Sequence, residues 1–333
     1  MSELTERKVT LGDKITRFYN RVGILIILAA LIIICSFVSP VFLSRTNIIN
    51  LLTQTAVVSI VACGITMLII SGNTDLSAGS MVAFTGCLTL GTYKNLTQVN
   101  SLPPLAGGIL AIGTAILASV VIYSIAAVIM TRYNAPAFIV TLAGSQAARG
   151  LVFLYTDGKV INTIGEIIVI GQGRLMDFLP YPAVVMIIIS IISWFILTQT
   201  RMGKYLYAIG GNSESARAAG INKTKIVIYT YIIHGAFVAI AGGLFMARMN
   251  SGQPSAAVAL EFSSITAAII GGTSLAGGIG TITGTIFGSL IVGIIGNILT
   301  LRAVQSYYQM IITGLIIVLA VVIDTKTKTG KRN

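Results

Sequence analysis

Ser71 to Ser80 reads Ser-Gly-Asn-Thr-Asp-Leu-Ser-Ala-Gly-Ser and sets one carboxylate, Asp75, among hydroxyls between two long apolar runs. A charge at membrane depth costs several kcal/mol on insertion scales, so an acid placed there faces water, a partner or a solute. The same residue can instead cap the helix that follows, because Asp and Ser side chains accept bonds from the free amides of a first turn. Both roles are open from the sequence. The single histidine, His234, lies within another apolar run with no neighbouring carboxylate or cysteine in sequence, so a metal site lacks ligands and a catalytic triad lacks a base. It is expected to pack and to hydrogen-bond another helix.

The elements that hold these residues are membrane helices. Of the 333 residues, 55% are hydrophobic and 10% charged, and the mean hydropathy is +0.91. A water-exposed surface cannot be built from that composition. Repeated apolar stretches of about 20 residues match a hydrocarbon core roughly 30 Å thick. The expected fold is an all-α, polytopic transmembrane helix bundle of about ten spans. These fall near 22–43, 49–70, 77–93, 106–131, 136–154, 182–198, 226–248, 257–271, 281–300 and 306–323. The third, fifth and eighth are short or rich in Gly, Ser and Thr, the marks of broken or re-entrant helices.

A net charge of +12 could speak for nucleic acid, but Lys and Arg sit in segments between apolar runs and not along a helix face. They gather in 1–21, in the loop 198–225 and in the tail 324–333, flanking one transmembrane domain over 22–323. Basic clusters stay on the cytoplasmic side. An even number of spans returns both termini to the cytoplasm, and the loop 198–225 falls there too. The polar stretch from Tyr155 to Tyr181 and the loop from Asn250 to Ala257 then lie outside. No cleavable signal is expected, since the first apolar run is too long for one. Cys35, Cys63 and Cys87 lie in or beside apolar runs without metal or redox spacing and read as core.

Ile69 to Gly79 and Ile269 to Gly278 resemble each other once a gap is allowed at Asn73. Paired Gly-interrupted hydrophobic segments mark the solute path in transporters built from repeated halves. Chance recurrence of small residues at helix contacts is the rival explanation. The candidates to line such a path are Asn73, Thr74, Asp75 and Ser77, with Thr273 and Ser274 in the second segment. Gly271 to Gly280 has no Gly-Lys-Ser/Thr and no β/α context, so it is not a phosphate loop. No cofactor is expected.

Gly210 to Asn222 reads as a short helix in the largest inside loop. Asn212 or Ser213 can cap it, Glu214 suits its positive end, and Gly220 with Asn222 can end it in a left-handed turn. So short a helix needs a surface to dock on. The segment Asp75-Leu76-Ser77-Ala78-Gly79-Ser80, the Gly210–Asn222 loop and the Gly271–Gly280 segment together resemble the permeases of ribose/galactose/xylose-type bacterial ABC sugar importers. The likeness runs from about Pro40 to Asp324. It implies a plasma-membrane permease, not an enzyme, that pairs with a second permease subunit and sits in lipid. It also implies an extracytoplasmic solute-binding protein that delivers a small sugar, and a cytoplasmic ABC ATPase below. By the same likeness Ser213, Glu214, Ala216, Arg217 and Gly220 form the ATPase-coupling loop, Glu214, Ala216 and Gly220 matching a Glu-Ala-Ala-three-Gly pattern from which Ser215 departs. A secondary carrier or channel is the alternative. It would use Asp75 and Glu261 as ion ligands, whereas an enzyme would need a nucleophile and base that the sequence does not assemble.

Overall fold

The computed structural model describes residues 11–162 and 165–329, of which 11–22, 320 and 323–329 by backbone alone. Helices dominate. In chain order they are α1 (Leu11–Val38), α2 (Arg45–Ile70), α3 (Ala78–Lys94), α4 (Pro104–Arg132), α5 (Ala137–Thr156), α6 (Ile168–Gln172), α7 (Tyr181–Gln199) and α8 (Arg201–Gly211). There follow α9 (Ser213–Ala218), α10 (Lys223–Met249), α11 (Leu260–Ile270), α12 (Ile282–Leu301) and α13 (Ser306–Thr329). A helix falls on every expected span. Among the described residues, α2, α4, α5, α7, α10 and α12 are long and apolar enough to cross a membrane. α3 has 17 residues and α11 has 11, so α11 covers roughly 16 Å at 1.5 Å per residue, about half a hydrocarbon core. α5, expected to be broken, is one continuous helix of 20 residues. α1 begins at Leu11, so part of the basic segment before residue 22 is helical. Arg7, Lys8, Lys331 and Arg332 lie outside the described residues.

α2 is the axis of the bundle. Nearly all of its span is buried, which explains a helix apolar on every side. α7, α10, α11 and α12 pack around it and α3 packs on α10, α4 and α5, while α4 and α5 keep broad apolar faces exposed, as helices against lipid do. Cys63 and Cys87 lie in the main core, and Cys35 lies in a smaller cluster with Phe42, Leu51 and Ile294. Polar cross-links tie α2 to α12: Asn47 and Asn297 exchange side-chain amide bonds of 3.0 and 2.8 Å, and the Thr66 and Thr285 hydroxyls meet at 2.6 Å.

The two expected outside loops touch one another. Ile161 and Gly252 pair through both backbone bonds at 2.9 Å, and a small hairpin, β1 (Arg174–Leu175) with β2 (Leu179–Pro180), closes the first of them. At the other end, the α2–α3 turn, the α11–α12 turn and α8 meet: Gly278 N donates to Ile70 O at 2.9 Å and Tyr207 Oη to Gly280 O at 2.8 Å.

Close helix approach rests on facing glycines. A Cβ at Gly242 of α10 would collide with Thr85 Oγ1 and with the α3 backbone at Val82 and Gly86, and one at Gly86 with Gly242 O. Gly242→Val should therefore force α3 and α10 apart at a cost of about 1–3 kcal/mol. Its melting temperature in detergent should fall by several degrees, whereas Gly113→Val, whose Cβ meets open space, should melt like the parent.

Candidate functional site

α2 and α11 stop in the same way. After Ile70 the chain places Gly72 at φ +79°, with Gly72 N bonded to Ile69 O and Asn73 N to Leu68 O, both at 2.9 Å. After Ile270 it places Gly272 at φ +88°, with Gly272 N bonded to Ile269 O at 2.8 Å and Thr273 N to Ala268 O at 2.9 Å. These paired bonds close a left-handed helix stop that glycine adopts without a Cβ penalty. The repeated residues thus build a repeated turn.

Asp75 lies within the first turn and is fully buried. Its Oδ1 accepts from Ser77 N at 2.8 Å and from Ser77 Oγ, while Oδ2 faces Tyr123 Oη at 2.7 Å and His234 Nε2 at 2.8 Å. Four donors fill about all the lone-pair sites a carboxylate offers. His234 is buried and bonded outside its own helix, as expected, and its partner is a carboxylate that its neighbourhood in sequence does not show. Folding brings together residues 159 positions apart, a separation invisible to local pattern. Of the two roles left open by the sequence, the cap is not the one built: α3 begins at Ala78, and Asp75 bonds Ser77, the residue before the helix, and not a first-turn amide.

Helices α4, α5 and α10 together hold the turn. Tyr231 Oη of α10 donates to Thr74 O at 2.8 Å, Leu76 N donates to Thr141 Oγ1 of α5 at 3.1 Å, and the Tyr123 ring of α4 stacks on Tyr231 and meets His234 edge-on. Tyr231 stands about 12 Å along α10 from Lys223, which sets the carboxylate inside the bundle and not at its rim. α2 makes room for the imidazole through Gly64, where a Cβ would strike His234 Nδ1. Sequence reasoning missed Tyr123 and Tyr231; the available signal was a phenol amid Ile, Val and Ala. Asn73 Nδ2 bonds back to Ser71, so it serves the turn. Thr273 and Ser274 are buried, and their hydroxyl oxygens find no partner among the described residues. Glu261 lies apart from the Asp75 donors, against Gly79 at the start of α3.

α9 is built as its sequence implies. Asn212 Oδ1 caps it, accepting from Glu214 N and Ser215 N at 3.0 and 2.9 Å. Gly220, at φ +81°, ends it, with Gly220 N bonded to Arg217 O and Ile221 N to Ala216 O, both at 3.0 Å. Asn222 belongs to the next element and caps α10 through Lys225 N. Ala216 is buried against the chain, while Glu214, Arg217 and Gly220 are exposed. One helix earlier, Gly210 sits so close to Ile70 O and Gly278 N that a Cβ has no room. The α8–α9 arm is thereby seated on both glycine turns at once.

A bundle with paired interrupted helices, a buried polar hub and a capped arm on one face has the form of a membrane transport subunit. The family described as branched-chain amino acid transport system / permease component matches residues 47–321. The chain is 40% identical over 310 residues to the ribose import permease protein RbsC of Escherichia coli (strain K12), covering 91% of this chain and 92% of that one. It is 32% identical over 371 aligned positions to the xylose transport system permease protein XylH of Haemophilus influenzae, over 91% and 96% of the two chains. To the L-arabinose ABC transporter permease protein AraH of Azospirillum brasilense it is 33% identical over 316 residues, or 94% and 90%. No solved structure matches. The chain belongs to this family of transport-system permease components: it is an integral membrane translocation subunit and not an enzyme.

Removing the Asp75 carboxylate leaves a phenol, an imidazole and a backbone amide buried without their acceptor, and each orphaned group costs about 1–3 kcal/mol. Asp75→Ala should accordingly lose about 3 kcal/mol or more, and Tyr123→Phe about 1.5–3 kcal/mol, since one bond to a charged acceptor goes. In a double-mutant cycle, Asp75→Asn and His234→Gln should couple by more than 0.5 kcal/mol, read from unfolding in detergent. Additive losses would separate the two residues energetically.

Proposed function

We propose that this chain is the permease subunit of an ATP-driven, binding-protein-dependent importer of a monosaccharide, working as a pair of permease chains in the bacterial inner membrane. The observation that carries the reading is the α9 arm. A capped, exposed helix seated through Gly210 on both helix-breaking turns is a lever from a docking surface to the bundle interior. The cytoplasmic ATPase binds α9 through Glu214 and Arg217, and closure of the ATPase pair moves α8 against the α2–α3 and α11–α12 turns. Asn73, Thr74, Asp75, Ser77, Thr273 and Ser274 then border the inner half of the path when those turns part. The sugar assignment rests on relatives named for ribose, xylose and L-arabinose.

In this reading about ten helices cross, with both termini, the basic loop 198–225 and the tail in the cytoplasm. The grouping of turns supports it. The 155–181 and 250–257 segments pair at one end, and α8, α9 and both glycine turns meet at the other. Ser213→Cys should react with a membrane-impermeant thiol reagent only from the cytoplasmic face, and Asp157→Cys only from outside. Labelling of both from one face would break the topology.

Coupling is testable at the left-handed residue. Gly220→Val strains its φ of +81° by about 1–2 kcal/mol, enough to misplace α9 without unfolding the bundle. In vesicles that hold the ATPase and binding protein, wild type should import radiolabelled D-ribose or D-xylose with ATP. Gly220→Val and Glu214→Ala/Arg217→Ala should insert normally yet lose at least tenfold of the uptake and of the solute-stimulated ATP hydrolysis. Wild-type rates in both variants would remove α9 from the mechanism.

A further inference from the structure

α11 runs only about 16 Å from its glycine turn, so its first residues stand in the middle of the bundle, and the chain that leaves α10 at Met249 descends through 250–259 to reach them. Backbone at that depth needs partners. Arg149 of α5 provides two: its Nη1 donates to Pro254 O at 2.6 Å and to Ala256 O at 2.9 Å. The residues that follow are strained. Ala257 and Ala259 hold φ of +57° and +62°, the left-handed region that penalises any residue with a Cβ.

Glu261 comes next, in the first turn of α11. Its carboxylate faces the backbone amides of Gly79 and of Glu261 itself, but Oε2 is buried and has no hydrogen-bond partner among the described residues. The charge of Arg149 reaches it, yet the two form no ion pair: among the described residues the ion pairs are Lys159 with Asp157 and His234 with Asp75. A guanidinium spent on neutral carbonyls beside an incompletely bonded carboxylate is a pair held apart, since a charged acceptor makes the stronger hydrogen bond. With strained backbone between the two, the segment has the makings of a two-state element. The face of α5 that carries Arg149 also carries Thr141 and Ser145, at intervals of four. Thr141 accepts from Leu76 N at 3.1 Å and Ser145 meets Ser80 at 2.9 Å, so one row of side chains joins the Asp75 turn to the entry of α11.

We propose that Arg149 and Glu261 are positioning residues for transport, the two poles of a latch on the segment 250–259. In the present conformation Arg149 holds the segment down by its carbonyls. In the alternate one the guanidinium leaves Pro254 and Ala256 for the Glu261 carboxylate, Ala257 and Ala259 relax to negative φ, and the segment lifts. The freed carbonyls then meet the water that the lifted segment admits. α5 carries the change along Ser145 and Thr141 to the Asp75 turn, so an event at the α10–α11 end is felt near the turns on which α8 sits. The latch's place in transport rests on the importer reading; its two forms rest on contacts within this chain.

Amide deuterium exchange over 252–260, read by mass spectrometry on the full chain in lipid nanodiscs, reports how often the segment lifts. Glu261→Gln removes one pole of the lifted form while its amide oxygen still accepts from the backbone, so exchange should slow at least fivefold. Arg149→Gln removes the hold, and exchange should quicken at least fivefold. Arg149→Lys, which keeps the charge and serves where the glutamine variant does not assemble, should shift it in the same direction. In vesicles with the ATPase and binding protein, each variant should lose at least tenfold of D-ribose uptake. Faster exchange in both Glu261→Gln and the Arg149 variant would reveal a static ion pair and overturn the latch, as would unchanged exchange in Glu261→Gln. Opposite shifts in exchange with parental uptake overturn it as a part of transport. A parent complex that moves no monosaccharide defeats the importer reading instead, and the exchange rates still decide the latch.

Discussion

A carboxylate inside a membrane bundle is tolerable only where donors meet it, and much of this molecule is arranged to supply them. Asp75 draws a hydroxyl from α4, an imidazole from α10, and both an amide and a hydroxyl from its own turn. The demands propagate outward. The imidazole needs Gly64 on α2, the phenol stacks on Tyr231, and Tyr231 in turn secures the carbonyl of Thr74. Such a network specifies one register among α2, α3, α4 and α10 more sharply than interchangeable apolar contacts do. Nothing in lipid drives helices together as water does, so packing of small residues and polar bonds between helices carry the specificity.

The second constraint is glycine. Two helices stop at buried turns inside the bundle, and each has its last carbonyls closed by backbone bonds. Gly72 and Gly272 supply the positive φ. Gly210 supplies the close approach that lets α8 rest on the carbonyl of Ile70 and the amide of Gly278. A side chain at that position would push the α8–α9 arm off the turns and cut the mechanical link to any partner docked on α9.

Much of this was legible because the signals are local. The helices follow from hydropathy and length, the α9 caps from Asn212 and Gly220, and the paired stops from the repeated Ile-Ile before a glycine-bearing turn. What local pattern could not give is who meets Asp75. His234 and Tyr123 stand in other helices, and apolar neighbours on every side of α2 and α4 leave no periodicity from which facing pairs could be drawn. The shortness of α11 was legible too: the eighth expected span, 257–271, already stood out as short, and the helix runs Leu260–Ile270.

The polar groups of the bundle divide by their state of satisfaction, and the division has a mechanical meaning. Asp75 holds four partners, although His234 Nδ1 has none among the described residues, so moving that turn means breaking several short bonds together, and it behaves as a lock. Elsewhere on α2 the buried Thr55 hydroxyl has no partner among the described residues. Free hydroxyls reappear at Thr273 and Ser274, on the second glycine turn, which lacks a carboxylate to bind them. The two turns are alike in backbone and unlike in what ties them down. Gly210 abuts both turns, but the α11–α12 turn has no carboxylate hub to break. In the proposed cycle it is the one that yields first, while the Asp75 turn holds the frame against which it moves.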